Sequence, residues 1–230
     1  MIGGAAGIGL ETARLARAEG AALVLAARNL ERLQQVASEL ATASTAAFDV
    51  TDFERLAQFF DELPAPIDHL LLTGPGPYCA PLANSILKKH AATSRPTGFS
   101  HCKSLAAPQT RFTQEEPCSS WEAPVAVALR RIRSFSALTA AMPAMTKNLA
   151  LELAPVRVNL IAAGFVDTPL SASLLGDQLD ARREQLRSTL PIGRVVGPAD
   201  IAMLAVHLMT NTAVTGATYD IDGGQQLVEG

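Results

Sequence analysis

Met1-Ile2-Gly3-Gly4-Ala5-Ala6-Gly7-Ile8-Gly9 runs straight into the helical pattern Leu10-Glu11-Thr12-Ala13-Arg14-Leu15. Glycines at 3, 7 and 9 leave the backbone bare where a turn tightens, a phosphate approaches and a helix packs on a strand. The chemistry that follows is anion binding by the free N–H groups of a helix start. The spacing is G-x-x-x-G-x-G rather than G-x-G-x-x-G, and taken alone a glycine-rich loop reads as readily as a tight turn. One other stretch sits where a ligand would lie: Gly164-Phe165-Val166-Asp167-Thr168-Pro169 leaves the C-terminal end of a strand, the end at which open parallel sheets bind ligands. Singly, Asp49 reads equally as a helix cap and Thr168 as the start of a turn. His90, His101, Cys102 and Cys118 have ligand chemistry, but their spacing matches no closed zinc pattern, so no metal is expected.

The elements that must position these residues alternate. Ala21 to Ala27 is a continuous apolar run after Gly20, as a buried parallel strand requires. Asn29 can cap a helix bearing Leu30, Leu33, Val36, Ala37 and Leu40 at helical spacing. Thr45 to Phe48 reads as a strand, and Thr51 or Asp52 caps a helix with Phe53, Leu56, Phe59, Phe60 and Leu63. Ile67 to Thr73 is the next strand, closed by Gly74-Pro75-Gly76-Pro77. From about 84 to 134 the apolar residues keep neither helical nor strand period, and no buried strand is expected there. Order returns with Leu138, Met142, Met145, Leu149 and Leu153, a helical stripe that contains Pro143. Val156 to Ile161 is a strand, 171–189 a charged helical lobe, Pro198-Ala199-Asp200 a helix start, and Thr215 to Gly224 a last strand with a tight turn. This alternation predicts an α/β fold, a parallel sheet with helices on both faces.

The totals agree with one such domain. The chain has 230 residues, and its net charge of −3 offers no broad attraction to nucleic acid or an anionic membrane surface. The longest uncharged apolar-rich run, Ser134 to Thr146, is too short to span a bilayer. No basic segment precedes an apolar one at the start, and Cys79, Cys102 and Cys118 are odd in number and irregularly spaced. A cytoplasmic protein with reduced thiols is expected.

Several patches, in this order, resemble the short-chain dehydrogenase/reductase family: Gly3 to Gly9, Asp49-Val50, Arg157-Val158-Asn159, Gly164 to Pro169, and Thr215-Gly216 leading to Asp222-Gly223-Gly224. The resemblance covers roughly 1–82 and 135–228. It implies a Rossmann-type, doubly wound parallel sheet in a single dinucleotide-binding domain over 1–230, hydride transfer between NAD(H) or NADP(H) and a small carbonyl or alcohol, and a homo-oligomer. Carried over by position, Gly3, Gly7, Ile8 and Gly9 would hold the pyrophosphate and adenosine ribose. Asp49 and Val50 would border the adenine, Gly74 would line the ribose, and Val166 and Thr168 would face the nicotinamide carboxamide. An acidic residue at the end of the second strand would favour NAD(H). Ala27-Arg28 stands there instead, and an Arg–phosphate contact worth roughly 1.5–3 kcal/mol makes NADP the expected cofactor.

The same resemblance marks three departures. The family's proton donor is a Tyr with a Lys four residues on; aligning back from Leu149 to Pro155 puts Phe135 and Thr139 at those positions. Neither has the ionisation needed, and loss of a positioned acid/base costs about 10²–10⁴-fold in rate. The family's catalytic Ser and polar Asn cannot be assigned within 84–134, an interval whose lost pattern is that of a displaced coding frame or an alternative exon. Met1 stands where the first, central strand would end, so a truncated first strand is expected. The sequence therefore points to an NADP(H)-dependent oxidoreductase, with a non-catalytic cofactor-binding homologue or an incomplete gene product as alternatives.

Overall fold

The computed structural model describes residues 1–41, 44–63, 66–73, 117–122 and 133–228, of which 117–122 and 133–138 by backbone alone. The glycine turn opens α1 (Gly7–Ala18), whose buried positions Ile8, Thr12, Ala13 and Ala16 recur at helical spacing. β1 (Val24–Ala27) follows, then α2 (Leu30–Glu39), capped as the sequence suggests by the Asn29 side chain, which accepts from Arg32 N at 2.8 Å. β2 (Ser44–Ala47) leads to α3 (Phe53–Glu62), where Asp52 rather than Thr51 is the cap. β3 (Leu70–Thr73) and β4 (Pro117–Glu122) precede the long α4 (Arg133–Glu152), which runs through Pro143. β5 (Arg157–Ala163) is buried along nearly its whole length. The charged lobe resolves into α5 (Pro169–Leu175), a short 3₁₀ turn and α6 (Leu179–Thr189), before α7 (Pro198–Thr210), β6 (Thr218–Ile221) and α8 (Gln225–Val228).

All strand pairs are parallel. β1 pairs with β2, and β3, β4, β5 and β6 form a second run in that order. The two runs meet at one residue: Ile2 bridges Ala26 of β1 on one side and Leu72 of β3 on the other. Ile2 N donates to Leu71 O at 2.9 Å and Thr73 N to Ile2 O at 3.0 Å, while Ala26 N donates to Met1 O at 2.9 Å and Gly3 N to Ala26 O at 2.8 Å. Met1 to Gly3 thus occupies the central lane of the sheet, giving the order β2, β1, Ile2, β3, β4, β5, β6.

Apolar side chains cover both faces. Leu56, Phe59 and Phe60 of α3 pack with Leu149 of α4 and Leu153 just beyond it against Ile2, Ala26, Leu70, Leu72 and Val158. On the other face α1 and α2 pack on Leu23 and Leu25, and Ile201, Ala205 and Leu208 of α7 pack on Ile161 and Ala163. This is a doubly wound Rossmann-type arrangement.

One expectation is corrected. Pro117–Glu122 forms β4 inside the sheet, in register from Leu70↔Cys118 to Thr73↔Trp121 with β3 and from Pro117↔Arg157 to Glu122↔Ala162 with β5. Backbone pairing on both sides defines this strand, whereas Pro, Cys and Ser give it no strand-like composition of its own. Gly74, Cys79, His90, His101, Cys102 and the rest of 84–116 and 123–132 lie outside the described residues.

The Arg157-Val158-Asn159 patch ties β5 to its surroundings. Arg157, buried, donates from NH1 to Leu208 O and Val214 O and from NH2 to Met209 O, each at 2.9 Å. A cation there satisfies carbonyls that the C-terminal end of α7 leaves open. Asn159 donates from Nδ2 to Val214 O at 2.9 Å and accepts from Ala217 N at 3.3 Å, fixing the approach to β6.

Candidate cofactor site

A cleft of about 310 Å³ opens above the C-terminal ends of β1 and β3. Its floor is Ile2 and Ala26, and the turn at Gly3, Gly7, Ile8 and Gly9 forms one wall. The tightness of that turn explains its glycines. A Cβ on Gly3 would overlap Thr73 Oγ1, and one on Gly9 would overlap the Gly3 carbonyl, 2.8 Å from its carbon. Gly7 has φ +51°, in the left-handed region. Thr73 Oγ1 donates to Ile2 O at 3.0 Å, so the end of β3 also braces the turn.

The start of α1 differs chemically from its neighbours. Ala6, its N-cap residue, makes no side-chain cap, and no acidic residue stands in the first turn. Side chains cap α2, α3 and α5, from Asn29, Asp52 and Thr168 respectively. The first N–H groups of α1 therefore keep their partial positive charge for an anion in the cleft.

At one end of the cleft stand Arg28, Arg32, Asp49 and Val50, together with Phe48. Arg28 and Arg32 are exposed, and neither guanidinium has an ion pair among the described residues. Asp49 Oδ1 accepts from Thr51 N at 2.9 Å and Thr51 Oγ1 at 2.8 Å, which closes a turn rather than capping α3. Those two bonds hold its carboxyl below the ordinary range, the backbone one first, with a smaller contribution from the charge of Arg28. A carboxylate already satisfied in this way stays ionised beside the two cations.

At the other end are Thr168, Pro169 and Leu170. Thr168 caps α5: its Oγ1 accepts from Ser171 N at 3.2 Å, while its own N–H donates to Ser171 Oγ at 2.8 Å. The Val166 side chain does not line the cleft. It is buried with Ile161, Val196 and Ile201, and its backbone bridges Val196. Gly164 has no room for a side chain, since a Cβ would lie 2.6 Å from Asp222 Cβ and 2.8 Å from Gln225 Oε1.

The structure thus brings Gly3, Gly7, Ile8, Gly9, Arg28, Asp49, Val50 and Thr168 to one cleft. Arg32, Thr73, Phe48 and Leu170 join them without having been singled out in the sequence. Arg32 was open to discovery, because the Asn29 cap places residue 32 in the first turn of α2, on the side of Arg28. Phe135 and Thr139 fall one turn apart on α4. No group of three or more His, Cys, Asp or Glu among the described residues could hold a metal, and no described helix is long and apolar enough to cross a membrane.

Comparison with known proteins gives the same picture along the chain. The family model described as short chain dehydrogenase matches residues 1–72, and that described as Enoyl-(Acyl carrier protein) reductase matches 119–226. The cis-4-hydroxycyclohexanecarboxylate dehydrogenase of Sinomonas cyclohexanicum is 31% identical over 98% of this chain and 95% of its own. A shorter match, 37% identical over 40% of this chain and 39% of the other, is to the 4-formylbenzenesulfonate dehydrogenase TsaC1/TsaC2 of Comamonas testosteroni. Among solved structures, the MalC reductase/Diels-Alderase of Malbranchea aurantiaca superposes with a TM-score of 0.84 at 23% identity, covering 99% of this chain and 95% of that one. An NADPH-bound short chain oxidoreductase of Pseudomonas aeruginosa PAO1, described as containing an atypical catalytic center, does so with a TM-score of 0.82 at 22% identity, covering 98% and 95%. With its glycine turn, its doubly wound sheet and these matches along both halves, the chain belongs to the short-chain dehydrogenase/reductase family.

Proposed function

We propose that the protein is an NADP(H)-dependent oxidoreductase acting on a small carbonyl or alcohol substrate, as a homo-oligomer in the cytoplasm. One observation carries the reading: an uncapped, glycine-lined helix start shares a cleft with two guanidiniums that have no ion pair among the described residues. In this reading Gly3, Gly7, Ile8 and Gly9 receive the pyrophosphate and its ribose, and Asp49 and Val50 border the adenine. Arg28 and Arg32 hold the 2′-phosphate, which an acidic residue in their place would repel. Thr168 and the backbone at Val166 border the nicotinamide, which supplies the hydride chemistry. The NADPH bound to the Pseudomonas relative is in keeping with this choice.

A second reading, a cofactor-binding homologue without turnover, is favoured by Phe135 and Thr139, which provide no acid/base pair. It stands second because a relative 31% identical over 98% of this chain is described as a dehydrogenase. Titrating NADPH and NADH, each followed by thermal shift, tests the cofactor. Tighter NADPH binding is expected, with Arg28→Ala weakening NADPH about tenfold and leaving NADH unchanged. Tighter NADH binding overturns the choice of NADP(H). Turnover over a panel of carbonyl substrates then separates the two readings.

A further inference from the structure

Each residue of the loop that leaves β5 toward the cleft, from Phe165 to Thr168, is held by another part of the chain. Phe165 N donates to Gln225 Oε1 at 2.9 Å. Val166 bridges Val196, and Asp167 N donates to Val196 O at 2.9 Å. Thr168 closes its box with Ser171. The one ionic tie in this set comes from α6: Arg183 grips the Asp167 carboxylate with both arms, Nε to Oδ2 at 2.9 Å and NH2 to Oδ1 at 2.8 Å. Its remaining nitrogen, NH1, donates to Asp180 Oδ1 at 2.9 Å, which fixes the guanidinium to its own helix.

A two-pronged contact fixes a plane as well as a distance, which a single hydrogen bond does not. Asp167 lies between Val166 and Thr168, so its position sets the peptide planes on both sides. Arg183 and Asp167 are each about a third exposed, at 29% and 32%, and pairs of that kind contribute little to global stability. The consequence of the contact is therefore local.

We propose that Arg183 is a positioning residue: acting through Asp167, it fixes Thr168 at the edge of the cleft for the nicotinamide half of the cofactor. The glycine turn, Arg28 and Arg32 hold the adenosine half without it. The proposal rests on the NADP(H) reading above.

The test compares two ligands. NADPH carries the nicotinamide; 2′,5′-ADP carries the adenosine and its 2′-phosphate but no nicotinamide. Binding of each to wild type, Arg183→Gln, Arg183→Lys and the distal control Arg187→Gln is measured by calorimetry. Arg183→Gln is expected to weaken NADPH roughly three- to fivefold while leaving 2′,5′-ADP unchanged, Arg183→Lys to recover part of the loss, and Arg187→Gln to match wild type. Equal weakening of both ligands, or of neither, overturns the proposal. If Arg183→Gln does not fold, Asp167→Asn makes the same comparison. Wild-type protein that binds neither ligand overturns the NADP(H) reading itself, and the positioning role with it.

Discussion

Gly9 is the residue at which helix propensity and tertiary packing disagree most sharply. In an exposed helix, Gly→Ala stabilises by about 1 kcal/mol. Here the added Cβ meets the Gly3 carbonyl, which is backbone and cannot swing away. Gly9→Ala is therefore expected to destabilise, by about 2 kcal/mol or more, read as a lower denaturation midpoint, with loss of NADPH binding. A gain in stability would show that the turn can open. Part of this constraint was legible in the sequence, where glycines at 3, 7 and 9 mark a turn that must tighten and a helix that must pack closely. The Thr73 contact was not, because nothing local to the chain shows that a residue so distant braces the turn. Val166 illustrates the opposite limit: the sequence marks the loop that carries it, but not that its side chain is buried with Ile161, Val196 and Ile201 while its backbone bridges Val196.

Among the elements, those with their own periodicity were readable. α2 and α3 carry apolar residues on one face and a side-chain cap at the start, and both appear within a residue or two of where the pattern puts them. β4 was not readable, because its pairing partners β3 and β5 define it. The start of α7 adds an electrostatic feature that the pattern Pro198-Ala199-Asp200 only hints at. Asp200 accepts from Arg194 NH1 and NH2 at 2.6 and 2.7 Å and from Gly197 N at 2.8 Å. Arg194 first, and then the Gly197 N–H, hold its carboxyl below the ordinary range. A depressed carboxyl pKa stabilises the fold above the unfolded value near about 3.9, and the contribution is lost as pH falls through the folded value. Asp200→Asn should thus cost about 1 kcal/mol at pH 7, and the gap from wild type should close as pH is lowered through 4 toward 2. Thermal unfolding across that range measures it; a gap that widens in acid would contradict the assignment.

At the scale of the whole molecule, Ile2 is the residue that joins the two runs of strands among the described residues. Its side chain, 6% exposed, packs with Ala26, Leu70 and Leu72, and its backbone pairs on both sides. Ile2→Ala removes buried methyl groups from this junction and should cost about 2–4 kcal/mol. In hydrogen exchange, the amides of Ala26 and Thr73, which bond to Met1 and Ile2, should lose protection before those of β5. Uniform loss across the sheet would mean that the two runs of strands do not part at this line.

The cleft has Ile2 in its floor, with Arg28 and Asp49 on the β1 side of that line and Thr168 on the β5 side. On the NADP(H) reading proposed above, a dinucleotide lying along it would cross the join. It would carry load from one run of strands to the other, as a rivet does across two plates. Pulled apart in a force experiment, the molecule would then yield at its centre when empty and resist there when filled.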